Sequence, residues 1–225
     1  MARILLFFLI SLASIGYGQI GKEYEDRKIR SAQQIKQFKD GVLFVRIRNR
    51  DLEVEYLKKY GRIEEARKVE RKRRELNQRL IRAFNANFNF CPVYFFFSHD
   101  SKHIRLGQFD SVGFVDTSLN VIDTIRPNPS YYLTAELGKV VADTAKFFGG
   151  YRTVESEDGL VQQPIYHTGP DAGFKGLIIK SDQFIQLVHP FSYYVRTYFE
   201  HPNERRMMWY VKKLNAALHE YHLKL

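Results

Sequence analysis

The sequence predicts a single α/β domain built on a central mixed sheet. Three observations carry this. The stretch Phe88–Ser98 holds six aromatic residues in eleven, which suits a strand covered on both faces. Val42–Arg48, a long helical stretch over Leu52–Phe84 and that aromatic run form a strand–helix–strand unit, which implies parallel strands. The last stretch, from Asn203 to about Leu223, places Met207, Val211, Leu214, Leu218 and Tyr221 at near-regular helical spacing.

The elements follow in order. Residues 1–18 read as a secretory signal peptide: Arg3 before an apolar run Ile4–Ile10, then small residues, with cleavage expected after Gly18. That apolar run is shorter than the ~20 residues a spanning helix needs. No later segment is long enough either, so no transmembrane span is expected in the mature chain. Residues 19–40 form a polar N-terminal segment, flexible over Ile20–Arg30. Ser31 then caps a short helix, Ala32–Phe38, with Ile35 and Phe38 facing inward. Asp40-Gly41 is a turn signal, and the single domain occupies residues 41–225.

Val42–Arg48 is apolar at first and then alternates, as a strand does on leaving a core. Asn49-Arg50-Asp51 ends it, with Asp51 as the helix N-cap. Leu52, Tyr56, Tyr60, Ile63, Ala66, Val69, Leu76, Leu80 and Phe84 then step at helical intervals. An unbroken helix of this length would span about 50 Å; Gly61 is the point at which it would divide. In the aromatic run Pro92 marks a strand start, because it has no N–H to donate, and Phe90–Phe97 is expected at the centre of the sheet. Val112–Val115 and Asn120–Ile125 read as a hairpin, Tyr131–Leu137 as a strand, and Lys139–Phe148 as a short helix. Gly149–Gly173 reads as an irregular loop, functional or mobile. Gly176–Lys180 and Gln183–Val188 form a hairpin turning at Ser181-Asp182, and His189–Glu200 packs over a sheet edge.

Charge and chemistry narrow the function. The chain carries a formal net charge of +10. In an exported protein of the periplasm or cell envelope of a Gram-negative bacterium, that favours an acidic protein partner or an anionic envelope surface over nucleic acid. Arg62–Arg82 is the most basic element, with nine basic residues against four acidic. Its Arg67, Lys68, Arg71, Lys72, Arg73 and Arg74 are the partner-binding candidates. Cys91 is the only cysteine; it lies among Phe90, Pro92 and Val93 and reads as a small buried hydrophobe. No disulfide framework is possible with one thiol.

Ligand-binding candidates are His99, Asp100 and His103 at the exit of the aromatic strand, and Tyr193, Tyr194 and Arg196 as an aromatic and cationic surface. His219 and His222 are three apart, whereas a zinc-protease helix places them four apart, so neither a metal nor any cofactor is expected. No phosphate-binding Gly-rich loop and no Gly-x-Ser-x-Gly occurs. The expected function is a non-enzymatic binding or interaction module that uses the basic helix. The alternative is a periplasmic hydrolase or other enzyme, with its site at His99–His103 beneath the 149–173 loop.

Three stretches together carry a resemblance: Phe88-Asn-Phe-Cys-Pro-Val-Tyr-Phe-Phe, the hairpin Gly176–Val188, and Pro190-Phe-Ser-Tyr-Tyr-Val-Arg-Thr197. They resemble a family of uncharacterised exported proteins from Bacteroidota-type bacteria. The resemblance implies export and a shared fold, and no activity. The element order is also similar to that of thioredoxin-like proteins. The redox pair is missing, because Arg48-Asn49-Arg50-Asp51 stands at the strand–helix junction where that family carries Cys-x-x-Cys.

Overall fold

The computed structural model describes residues 25–49, 51–141, 148–156, 159–166, 173–191, 193–199 and 201–225. The expected signal peptide and cleavage site lie outside these residues. Helix α1 covers residues 25–39, so the polar segment is already helical ahead of Ala32. Ser31 is buried inside that helix rather than capping it, while Ile35 and Phe38 face inward as expected.

Strand β1 (Val42–Ile47) follows a tight turn at Gly41. A Cβ there would run into the Tyr131 carbonyl oxygen, so only glycine allows the two backbones to approach. Helices α2 (Asp51–Lys59) and α3 (Ile63–Asn87) come next, divided at Gly61, whose φ is +71°. Asp51 is the first residue of α2 and not the residue before it. The break also changes which face is buried. Leu52, Tyr56, Tyr60 and Ile63 are exposed, and Val54, Leu57 and Ala66 form a small cluster between the two helices. The expected stripe was phased on one continuous helix, and the turn at Gly61 resets that phase. From Leu76 to Phe84 the expected face is correct: Leu76, Leu80 and Phe84 are buried.

Strand β2 (Val93–Phe97) is parallel to β1. After a 3-10 turn at Ser98–Asp100 and the short helix α4 (Ser101–Arg105), β3 (Tyr132–Lys139) pairs parallel to the other side of β1. Strands β4 (Phe148–Ser156) and β5 (Gly159–Tyr166) form a separate antiparallel ribbon. Strands β6 (Lys175–Lys180) and β7 (Tyr194–Arg196) complete the main sheet, whose order is β2-β1-β3-β6-β7. Helix α5 (Glu204–Leu223) closes the chain, with Asn203 at its N-cap accepting from the Arg206 N–H at 3.0 Å.

The fold is thus a single α/β domain with a five-stranded mixed sheet. The aromatic strand, however, is an edge strand; β1, β3 and β6 are the inner ones. Phe95 and Phe96 are buried because segments other than strands cover β2. The Phe95 carbonyl accepts from Val115 N–H at 2.9 Å, and Phe96 bridges Phe114. Burial of both faces does not require a strand on both sides, and that is where the sequence expectation of a central strand fails.

Two more expectations change in the second half. Lys139 ends β3 and Phe148 begins β4, so a helix over Lys139–Phe148 does not span its own termini; residues 142–147 lie outside the described set. Val140 is buried, but Val141 is exposed. Within Gly149–Gly173, the residues described are mostly the β4–β5 ribbon, not an irregular loop. Its register pairs Arg152 with Gln163 and Thr153 with Gln162, polar residues that give no hydrophobic alternation in the sequence. The hairpin at Ser181-Asp182 exists, but Gln186 makes only a bridge to Lys180. The ladder partner of β6 on that side is β7.

Two layers pack on the sheet. On one face, Leu43, Val45, Leu133, Ala135, Leu177 and Ile179 meet α1, α3 and α5 in the larger core. On the other, Val42, Phe44 and Phe96 meet Ile104, Phe109, Val112 and Phe114. Cys91 is buried, and burial pushes its thiol up to about 12, a rise that the Lys39 charge and a backbone hydrogen bond from Leu43 only partly oppose. At pH 8 about one molecule in ten thousand then carries the thiolate. Native protein should react with a thiol-disulfide reagent at least about a hundredfold more slowly than protein in denaturant. Equal rates would show that Cys91 is accessible.

Candidate functional site

Strands β1, β2 and β3 all point their carboxyl ends the same way, and β6 begins at that end. In α/β sheets this is the end at which ligands commonly bind. Here it is strongly basic. Arg48 leaves β1, Lys139 ends β3, Lys175 starts β6, and the first half of α3 passes over them.

Two cavities open there. The first, of about 220 Å³, is lined by Arg48, Arg73, Lys139, Lys175 and His201, with Leu76, Gly138, Gly176, Thr197 and Phe199 supplying much of the remaining wall. Among the described residues, no carboxylate lines it. The second, of about 550 Å³, is lined on the α3 side by Arg67, Glu70, Arg71, Arg73, Arg74 and Asn77, and faces Asn49, Phe97 and Ser118–Asn120. Glu70, the single carboxylate in its wall among the described residues, accepts from Lys58 at 2.8 Å. The contrast lies at the other end of the sheet, where a cavity has one Arg and one Asp, Arg30 and Asp182, among Gln, Ser and Tyr side chains.

The local pairing explains why the basic excess of α3 persists. Its four carboxylates are each engaged by a neighbouring cation. Glu64 accepts from Arg67 at 2.7 Å, Glu65 from Arg62 Nε at 2.7 Å, Glu70 from Lys58 and Glu75 from Arg79 at 3.0 Å. Lys68, Arg71 and Lys72 have no carboxylate partner among the described residues. Helical spacing divides the six candidates. Arg67, Arg71, Arg73 and Arg74 line the second cavity, while Lys68 and Lys72 point away from it and are exposed. Arg74 also donates to the Ser118 carbonyl at 3.5 Å. Asn77, buried on the same helix, donates to the Arg48 carbonyl at 3.3 Å and so ties α3 to the end of β1.

Beneath the first cavity sits Glu136, on β3, almost fully buried. Arg46 contacts it, Lys180 donates to it at 2.6 Å, and Arg48 lies at 3.5 Å. Burial pushes this carboxyl up, but the Lys180 hydrogen bond and the charges of Arg46, Lys180 and Arg48 together outweigh burial and hold it below the ordinary value. A Cβ on Gly138 would lie 3.1 Å from the Glu136 carboxylate and 3.6 Å from Arg48. The small residue thus leaves room for the cluster.

The other candidates occupy different places. Asp100 accepts from the Gly113 N–H at 3.1 Å and holds that loop. The His99 ring lies 5.7 Å from that of Phe97 and hydrogen-bonds Asn49 at 3.2 Å, and His103 bonds Gln108 at 3.1 Å. Neither basic cavity is lined by His99, Asp100 or His103. Tyr193 is buried just ahead of edge strand β7, its ring 4.8 Å from that of Tyr194, and Arg196 is exposed at the end of the strand. There the Arg196 guanidinium stacks over Phe174 at 4.5 Å and near Tyr198 at 5.3 Å. His219 and His222 flank the Phe90 ring, and no group of three metal-ligating side chains occurs among the described residues.

Residue-level reading of the sequence missed Arg48, Lys139, Lys175 and His201. Arg46 and Arg48 were visible as the alternating end of a strand. The lysines had no local signal, because their meeting depends on the β3–β6 register. Compared with protein-family models, curated proteins and solved structures, the chain matches none.

Proposed function

We propose that this chain is a non-enzymatic binding module of the cell envelope that takes an acidic protein partner, or an anionic envelope surface, on the first half of α3. The observation that carries this is the pairing pattern: every carboxylate of the helix is engaged, and Lys68, Arg71 and Lys72 are left without one among the described residues. Exposed cations of one sign on a rigid helix attract and orient an anionic partner. Export rests on the character of residues 1–18. The enzyme reading draws less support, since Asp100 holds the Gly113 N–H and His103 holds Gln108.

The test is charge reversal of Lys68, Arg71 and Lys72 to Glu. Because these three break no native ion pair, the variant should stay folded. Wild type should bind polyglutamate and vesicles rich in phosphatidylglycerol at low salt, weakening as the screening length falls to ~10 Å near 0.1 M. The variant should lose about tenfold or more in affinity. A folded variant that binds both probes as tightly as wild type overturns the proposal.

A further inference from the structure

The opposite end of the sheet holds a cavity of different character. Its volume is about 420 Å³, within the range of small-molecule sites. Three segments distant in sequence build it: one stripe of α1, the start of β3 and the Ser181-Asp182 turn after β6. Arg30, Gln33, Gln34 and Gln37 follow the i, i+3, i+4, i+7 spacing, so they share one face of α1. None of the three amides has a hydrogen-bond partner among the described residues, and neither has the Tyr131 hydroxyl. The frame around them is fixed. The Tyr131 carbonyl accepts from the Val42 N–H at 3.1 Å, and the Tyr132 hydroxyl donates to the Ile104 carbonyl at 2.8 Å. The Ser181 carbonyl accepts from Thr134 Oγ1 and from the Phe184 N–H, each at 3.0 Å. Free polar groups thus converge on a space whose walls are held in place by other bonds.

We propose that this cavity is a binding site for a neutral sugar ring. A carboxamide both donates and accepts, as a hydroxyl does, so each free amide can serve a sugar hydroxyl in either role. Asp182 gives Oδ2 to the Gln183 amide at 3.0 Å and keeps further lone pairs for hydroxyl donors. Arg30 balances its charge within the same wall, so an anion or a cation gains little net attraction there. Burial, and after it the Asp182 charge, push the Tyr131 phenol up to about 12, so it stays a donor at neutral pH. Tyr131 and Tyr132 are half-buried, and their rings supply apolar surface for the C–H edges of a pyranose. Leu133 is the single aliphatic residue in the wall among the described residues, so a hydrocarbon ligand gains little. The cavity shares no residue with the basic face of α3, so the helix reading and the cavity reading fail separately.

The experiment is calorimetric titration of the full chain with D-glucose, D-galactose and N-acetyl-D-glucosamine, with glycine as a zwitterionic control that suits Arg30 and Asp182 alone. Wild type should bind at least one sugar saturably, at about 1 mM or tighter, with an affinity indifferent to salt. The double variant Gln33→Leu/Gln37→Leu should bind that sugar about tenfold or more weakly. Both positions are exposed and leucine is a good helix former, so α1 should persist, which circular dichroism checks. Tyr131→Phe keeps the ring and should lose about fivefold. Charge reversal of Lys68, Arg71 and Lys72 should leave sugar affinity unchanged. Saturable binding to none of the three sugars overturns the proposal. So does glycine binding more tightly than every sugar, or a folded double variant that keeps the wild-type affinity.

Discussion

Phe44→Ala should destabilise the domain by about 3–5 kcal/mol, the range for deleting a fully buried phenylalanine. Phe44 lies in inner strand β1 and has no exposed surface. Its ring meets those of Tyr94 at 6.1 Å, Phe109 at 5.1 Å, Phe114 at 5.5 Å and Tyr132 at 5.3 Å. Those four come from two neighbouring strands and from the segment that covers the β2 edge. Removing the ring therefore opens a cavity whose walls are pinned by separate elements and cannot collapse together. Phe44→Leu keeps most of the volume and should cost markedly less. Leu52→Ala is the matched control: Leu52 is 83% exposed, so its change should stay within about 0.5 kcal/mol. Urea unfolding measures all three. A Phe44→Ala cost near that of Leu52→Ala would mean that the second core contributes little.

The contrast between those two residues shows what was legible in the sequence. Helix α5 was read nearly residue by residue. Its cap at Asn203 is real, and Met207, Val211, Leu214 and Leu218 are all buried. A single uninterrupted helix against one core keeps its period, so the pattern is sufficient. Leu52 was misread because the same period was carried across Gly61, where the chain turns and the helix face starts afresh. The aromatic strand was recognised as buried, but its place in the sheet was not. Burial is a property of its two faces, while strand order depends on what its edges meet. The β4–β5 ribbon was missed because Gln162, Gln163, Arg152 and Thr153 give no apolar alternation.

The same distinction governs the basic end. The excess on α3 is local in sequence, and composition reveals it. Which of its cations keep a partner is settled by side-chain reach, as with Glu70 accepting from Lys58 on another helix. The opposition of Lys139 and Lys175 is a matter of register between strands that are far apart in the chain. No window of sequence contains both. A charged residue ending each of two strands reads as ordinary solvation until the ladder sets them side by side.

Glu136→Gln should cost about 2–4 kcal/mol and should flatten the acid limb of stability. The side chain keeps its shape, so no cavity forms; what is lost is the one negative charge beneath three cations. Arg46 and Lys180 would then remain close together with 21% and 17% of their side chains exposed. Removing one partner of a well-buried pair costs about 3–5 kcal/mol. The partial exposure of these cations lets them turn toward water, which lowers the expected figure. The pH dependence follows from the direction of the shift. The folded carboxyl titrates below its ordinary value, and an unfolded Glu titrates near about 4.3. The stabilisation is therefore complete above that unfolded value and is lost as pH falls through the lower, folded one. Wild type should lose stability steeply between about pH 5 and pH 3, and the variant should do so less steeply by up to one proton. Urea midpoints across that pH range check both expectations. A Glu136→Gln variant within about 0.5 kcal/mol of wild type at pH 7 would show that Arg46, Arg48 and Lys180 are already held by water.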